Sequence, residues 1–298
     1  MVYHVPVLLH ESVNGLEIKP NGTYLDLTFG GGGHSAEILK HLKKGRLIAF
    51  DQDEEALKNA IDDKRFTLIR SNFKFFRNFL RYHKIDTVDG ILADLGVSSH
   101  HFDSPKRGFS FRFEGPLDMR MNQKSKLSAK EVVNTYSVDD LTKVLTLYGE
   151  LPNARRIANT ICISREHKQI DTVELLAELL KPMFPVAQQN KMLAQVFQAI
   201  RIEVNKEMEA LKQMLINAHK CLKKDGRLVI ISYHSLEDRL VKNFFRSGSF
   251  EGDIEKDFYG NVNSPFEQVN RKVIVPSDEE IKINSRARSA KLRIGRKL

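Results

Sequence analysis

From Thr23 to Gly96 the chain alternates short apolar runs with amphipathic stretches: TYLDLT then SAEILKHL, RLIAFD then EEALKNAI, FTLIRS then KFFRNFLRYH, and last VDGILADLG. Short apolar strands separated by helices of about ten residues make βαβ units, and such units build a parallel sheet with helices on its faces. Gly45 follows the first helical stretch and Asp53 precedes the second, where a helix stop and a helix start belong.

The rhythm breaks after Gly96. Residues 103–126 read as loop, with Pro105, Gly108, Gly115 and Pro116, and helical patterns follow with no strand between them. Ser128-Ala-Lys-Glu131 has the spacing of a capping box, and Ser137 precedes an acidic first turn, Asp139-Asp140, with periodic Leu141, Val144, Leu145 and Tyr148 behind it. Further helices are predicted at 153–166, 172–180 and 190–200, and a long one over 203–223. Strand patterning returns in GRLVIISYHS, followed by helical SLEDRLVKNFFR, a polar stretch over 247–266, and two strand-like segments, QVNRKVIV and AKLRI. The economical architecture is an α/β domain with a mostly parallel sheet, residues 1–103 and 201–298, interrupted by an all-helical insertion, 104–200.

Composition narrows the class. At 298 residues the chain is long enough for a sizeable core. No apolar run approaches the ~20 residues that span a bilayer, and the amino terminus MVYHVPVLLHESV has a five-residue apolar run before His10 and Glu11. The expectation is a cytoplasmic protein without a signal peptide. Cys162 and Cys221 show no Cys-x-x-Cys or Cys/His spacing, which argues against a disulfide framework or structural zinc. The net charge of +9 is informative where it is localised. Residues 281–298, IKINSRARSAKLRIGRKL, hold seven Lys or Arg and no acid, with Leu292 and Ile294 alternating against them as in a short strand. Basic residues on a half-buried strand make a fixed surface for phosphates; a solvated basic tail is the alternative.

Candidate chemistry gathers at TFGGGGHS, Thr28–Ser35, directly after the first strand. Glycines between a strand and a helix let the backbone approach a ligand and leave helix N–H groups facing it. Gly31-x-Gly33-x-x-Ala36 satisfies the dinucleotide form G-x-G-x-x-A, so a nicotinamide-dependent oxidoreductase has to be weighed. Asp26, four residues before Gly30, shifts the balance: a carboxylate there repels a pyrophosphate and suits a cation such as the sulfonium and ammonium of S-adenosylmethionine. Asp51, ending RLIAFD, is placed to accept hydrogen bonds from ribose hydroxyls, as in NAD sites too. Asp94 ends the fourth strand in GILADLGVSS, where open α/β sheets bind ligands, and can localise the lone pair of an exocyclic amine for an in-line methyl transfer. His234, after the strand GRLVIIS, is expected near the same crevice, to bind the target base or receive its proton; a histidine bonded only to backbone is the alternative. Ser235, Glu237 and Asp238 read as a helix amino terminus. A Gly-x-Ser-x-Gly elbow and the His-x-Glu with Pro-Cys-x-x-Cys of zinc deaminases are absent, and no metal requirement is expected.

These residues resemble, over essentially the whole chain, the bacterial MraW family of methyltransferases. The stretches that carry the resemblance are HVPVLLHESV, DLTFGGGGHS, AFDQD, DGILADLGVSS, RGFSF, LDMRM, VFQAIRIEVN, ISYHSLEDR and NSRARSAKLR. It implies a Rossmann-like S-adenosylmethionine methyltransferase core with an inserted helical domain for RNA recognition. The implied reaction is S-adenosylmethionine-dependent methylation of the N4 amine of one cytosine in the decoding region of 16S ribosomal RNA, within the small ribosomal subunit. The family's cofactor contacts fall on Gly32, Gly33, His34, Asp51, Phe73 and Asp94, beside Asp26 and Gly30. The next contact, usually a Gln, falls on His101 of Ser98-Ser99-His100-His101. Lys191-Met-Leu-Ala-Gln195 stands where the family tends to a His-Pro run, and Pro152 in Gly149–Asn153 implies a shifted helix start. The expected RNA surface comprises Arg107 and Arg112 of an Arg-rich loop, Arg155, Arg156, Arg201 and Asn205 of the insertion and its join, and Arg286, Arg288 and Arg293 of the tail. Family members are described as dimers, so a homodimer is expected; a non-catalytic RNA-binding or ribosome-assembly protein of the same fold is the competing class.

Overall fold

Thr23–Asp26 (β1), Arg46–Asp51 (β2), Phe66–Arg70 (β3), Val88–Asp94 (β4) and Leu222–Ser232 (β5) lie parallel in one sheet. Lys291–Lys297 (β7) runs antiparallel on β5, and Phe266–Gln268 (β6) antiparallel on β7, giving the order β3-β2-β1-β4-β5-β7-β6. The computed structural model describes residues 6–97, 102–253, 264–270 and 272–298. They fall into two units, Met1–Gly96 with Met208–Leu298, which carries the sheet, and Val97–Glu207.

The central strands are buried on both faces, as parallel strands under helices must be. Along β2, Leu47 belongs to one core and Ile48 to the other; along β5, Leu228 and Ile230 point one way, Val229 and Ile231 the other. Helices Leu9–Gly15 (α1) and Gly33–His41 (α2) contribute Val13, Ile38 and Leu39 to one face. Phe76–Tyr82 (α3) covers the opposite face through Phe76 and Leu80, together with the later helices described below. The order makes this fold Rossmann-like: the chain proceeds from β1 outward to β3, then returns to place β4 on the other side of β1. That reversal opens a crevice at the carboxyl ends of β1 and β4.

In the second unit the helices are Ala129–Thr135 (α4), Val138–Gly149 (α5), Ala154–His167 (α6), Val173–Leu180 (α7) and Gln189–Asn205 (α8). Their apolar stripes close one core containing Val132, Leu145, Ile157, Ile161, Leu176 and Ile200. Ser128 and Glu131 form the capping box that their spacing predicts, and Ser137 and Thr172 cap α5 and α7. Glu150, at φ +51°, ends α5, and α6 starts at Ala154, beyond Pro152.

Three expectations need correction. EEALKNAI is only a 3₁₀ turn, Glu55–Asn59, because Ala56 is its one buried residue and so short a stripe cannot hold a full helix against the sheet. The long helix of 203–223 is instead Glu207–Cys221 (α9), since Lys206 at φ +50° ends α8. QVNRKVIV is strand only at its start, Gln268: the Asn270 side chain takes the Ile294 N–H at 3.1 Å, and among the described residues beyond it the remaining pairing is an isolated bridge at Ile274. Ser235–Ser247 (α10) and Asp278–Ile283 (α11) complete the helices used below. Cys162 and Cys221 are buried free thiols, and among the described residues no helix is long and apolar enough to cross a membrane.

Candidate active site

The crevice is stitched shut at its base by backbone and by one hydroxyl. Leu27 donates to the Leu92 carbonyl at 2.9 Å, and the Asp94 N–H donates to Thr28 Oγ1 at 2.6 Å, so the chain leaving β1 is tied to the end of β4. On the far side of β4, Asp94 pairs in register with Ile231 of β5. Two residues beyond Ile231, the phenol of Tyr233 donates to Asp94 Oδ1 at 2.9 Å. Asp94 Oδ2 has no donor among the described residues. Burial pushes the Asp94 carboxyl up to about 7; the Tyr233 bond works against that, and the negative charges of Asp26 and Glu237 add to it. Burial, reinforced by the Asp94 charge, also holds the Tyr233 phenol well above its ordinary range, so it stays a donor.

Asp26 ends β1, directly before the glycine loop. It is fully buried, and both oxygens are engaged, Oδ2 by Ser35 Oγ at 2.7 Å and Oδ1 by the Thr28 N–H at 3.1 Å. Burial pushes this carboxyl up to about 6 against those two bonds. Asp26 therefore braces the turn from β1 into α2.

The four glycines serve separate ends. Gly32 has φ +79°, and a Cβ on it would lie 2.8 Å from the Phe29 ring; a Cβ on Gly33 would lie 2.1 Å from Pro6. Those two positions are glycine because the protein itself fills the space. Gly30, at φ +52°, would meet no atom closer than 4.0 Å. Its N–H donates to Asp51 Oδ2 at 2.8 Å, its carbonyl accepts from Asn59 Nδ2 at 3.0 Å, and the other Asp51 oxygen accepts the Asp53 N–H at 2.8 Å. Asp51 thus anchors the glycine loop to the end of β2. Next along the sheet, Asn72 Nδ2 donates to Gln52 Oε1 at 2.8 Å and caps the 3₁₀ turn that begins with half-buried Phe73. His34 is buried in the first turn of α2; Nε2 donates to the Val7 carbonyl at 3.1 Å, and burial lowers its ring to about 4, so it is neutral at neutral pH.

His234 is the N-cap of α10. Its Nδ1 accepts the Glu237 N–H at 3.4 Å while Glu237 Oε2 reaches back to the N–H groups of Tyr233, at 2.9 Å, and His234. The helix amino terminus falls where Ser235, Glu237 and Asp238 mark it, with His234 as the cap residue through Nδ1; its Nε2 is buried without a hydrogen bond, 3.2 Å from Glu237 Oε1. His101 lies outside the described residues.

Several expected RNA contacts are committed elsewhere in their own unit. Arg107 is buried, with one guanidinium nitrogen on the Arg120 and Met121 carbonyls. Arg201 pairs with Glu207 at 2.9 Å, and Asn205 bonds Met119 and Met121 backbone at 2.8 Å each. Arg293 pairs with Asp238 at 2.7 Å. Arg112, Arg156, Arg286 and Arg288 are exposed, and exposed Arg155 pairs with Asp139. Tyr233 and Thr28, which link the strand ends, escape a sequence reading because only the β4–β5 register and the β1 turn bring them to Asp94.

The profile of the MraW methylase family matches residues 1–298. The protein named ribosomal RNA small subunit methyltransferase H from Bacteroides thetaiotaomicron is 57% identical over 100% of this chain and 98% of its own length. Its namesakes from Flavobacterium johnsoniae, 60% identical over 100% and 99%, and Phocaeicola vulgatus, 58% over 99% and 98%, are similarly close. Matched from end to end in this way, the chain belongs to the MraW methylase family.

Proposed function

We propose that this methylase transfers the methyl group of S-adenosylmethionine to the exocyclic N4 amine of one cytosine in the decoding region of 16S ribosomal RNA, acting on the small subunit in the cytoplasm. The substrate class follows the names of the close relatives, and the site chemistry agrees with it. S-adenosylmethionine, when bound, supplies a methyl on a sulfonium cation. The residues present fit such a ligand: Gly30 leaves open space at the mouth of β1, Asp51 and Phe73 stand at the next strand ends, and the carboxylates of Asp26 and Asp94 set a negative potential suited to a cation. In this reading Gly30, Gly32, Gly33, His34, Asp51 and Phe73 form the cofactor side of the crevice.

The observation that carries the mechanism is the Asp94 carboxylate, with Oδ1 fixed by Tyr233 and Oδ2 left for an outside donor. A cytosine amine donating to Oδ2 has its nitrogen lone pair drawn out of conjugation with the ring and aimed for in-line attack. The N–C bond forms as the S–C bond breaks, the bonding pair goes to sulfur, and the proton lost by nitrogen passes to a carboxyl balanced near 7. Asp94 is the catalytic residue of this account and Tyr233 its positioning residue.

The test is transfer of labelled methyl from S-adenosylmethionine to unmethylated small subunits, with the modified nucleotide mapped. Label on N4 of a single decoding-region cytosine is expected. Cofactor binding without transfer to any ribosomal RNA would indicate a binding protein that keeps the fold. We also propose a homodimer, which sedimentation equilibrium of the free protein checks.

A further inference from the structure

The segment Ser71–Ile85 contains four Lys or Arg and no acid. Arg77 and Arg81, four residues apart, share one face of α3, with Lys74 in the turn before it and Lys84, at φ +55°, just after it. Phe75 is 46% exposed and Tyr82 82% exposed, while Phe76 and Leu80 point into the core. Among the described residues none of the four cations forms an ion pair, whereas Arg155, Arg201, Arg293 and Arg296 all do. Lys74 Nζ sits 4.8 Å above the Phe75 ring, and Asn217 of α9 donates to the Lys74 carbonyl at 3.3 Å, which anchors the turn to the body of its unit. Lys74 directly follows Phe73.

We propose that this face of α3 is a docking surface for single-stranded ribosomal RNA, with the cations tracking the phosphates and Phe75 and Tyr82 stacking on bases. The inference rests on the ribosomal RNA reading above and adds a surface to it. The charge is complementary to a polyanion. Large aromatic side chains between unpaired cations are what single-stranded nucleic acid uses, since every base offers a face to stack on. The helix is held to the sheet by its opposite side, through Phe76 and Leu80, which leaves Phe75 and Tyr82 exposed.

The experiment compares wild type with Arg77→Gln/Arg81→Gln, Arg77→Lys/Arg81→Lys and Tyr82→Ser, measuring methyl transfer and binding to both naked 16S RNA and small subunits across a salt series. The Gln pair is expected to raise the KM for RNA about tenfold and to make the slope of log K against log salt shallower by about 1.4 for two lost cations. Its kcat, cofactor affinity and melting temperature should stay as in wild type, the Lys pair should restore binding, and Tyr82→Ser should weaken binding without changing the slope. An active wild type with an indistinguishable Gln pair would overturn the proposal. So would a loss confined to whole subunits with naked RNA bound normally, which would assign the face to a ribosomal protein. A wild type that binds no ribosomal RNA would overturn the function reading as well, and is told apart by needing no variant.

Discussion

The phenolic oxygen of Tyr233 lies 2.9 Å from Oδ1 of Asp94, joining the residue just after β5 to the last residue of β4. A neutral phenol fixing one oxygen of a carboxylate balanced near 7 leaves the other oxygen oriented, and ionised in about half the molecules at that pH.

Tyr233→Phe tests that relationship. The tyrosine bond holds the Asp94 carboxyl down, so its loss moves the carboxyl further up. If ionised Asp94 accepts the amine, transfer is weak below pH ~7 and rises through it, and in the variant that rising limb moves to higher pH. We expect kcat at pH 7 to fall about tenfold, the worth of one hydrogen bond to a charged group. The pH profile of single-turnover transfer checks it; an unmoved limb would detach Tyr233 from the titration.

Asp26 makes a stability prediction with a definite sign. Its folded carboxyl is raised to about 6 from 3.8, so between those values the native state keeps a proton that the unfolded chain has released. Stability contributed by this group is fully present below the lower value and is lost as pH rises through the upper one. Asp26→Asn removes that loss. Relative to wild type, the variant should gain about 3 kcal/mol in urea unfolding between pH 4 and pH 7, as an order of magnitude. A constant difference across that range would contradict the buried titration.

The glycines separate fold from ligand. Gly32→Ala forces a Cβ into the Phe29 ring at φ +79° and should cost about 2 kcal/mol of stability. Gly30→Ala meets open space, so its loss of stability should be smaller, about 1 kcal/mol for the positive φ, with a disproportionate loss of S-adenosylmethionine affinity. Paired melting and calorimetric titration read the two effects.

At His234 the capping role is separable from base chemistry. His234→Asn preserves a side-chain acceptor for the Glu237 N–H and should keep near-normal stability and transfer, while His234→Ala should lose about 1 kcal/mol. A large fall in transfer with His234→Asn at unchanged stability would restore the histidine to the reaction.

How much of this was legible beforehand depended on distance along the chain. The unbroken apolar runs Leu47 to Phe50 and Ile91 to Ala93 mark parallel strands buried on both faces, and carboxylates at their ends mark the crevice. The Ser128–Glu131 box is local and therefore readable. What escaped is set by partners far apart in sequence. The pairing of Arg293 with Asp238 joins residues 55 apart, and the bond of Tyr233 to Asp94 depends on the β4–β5 register and spans 139 residues. The break at Lys206 carries no glycine or proline signal; the structure shows only that Asn205, just before it, is held by Met119 and Met121.

The most direct measurement pairs methyl transfer with cofactor affinity in Asp94→Asn, using unmethylated small subunits and wild type as reference. The account predicts transfer reduced by about 10²-fold or more, with S-adenosylmethionine binding within a few-fold and the fold intact. Transfer at the wild-type rate to the same cytosine would contradict it, and would remove Asp94 from the centre of the reaction.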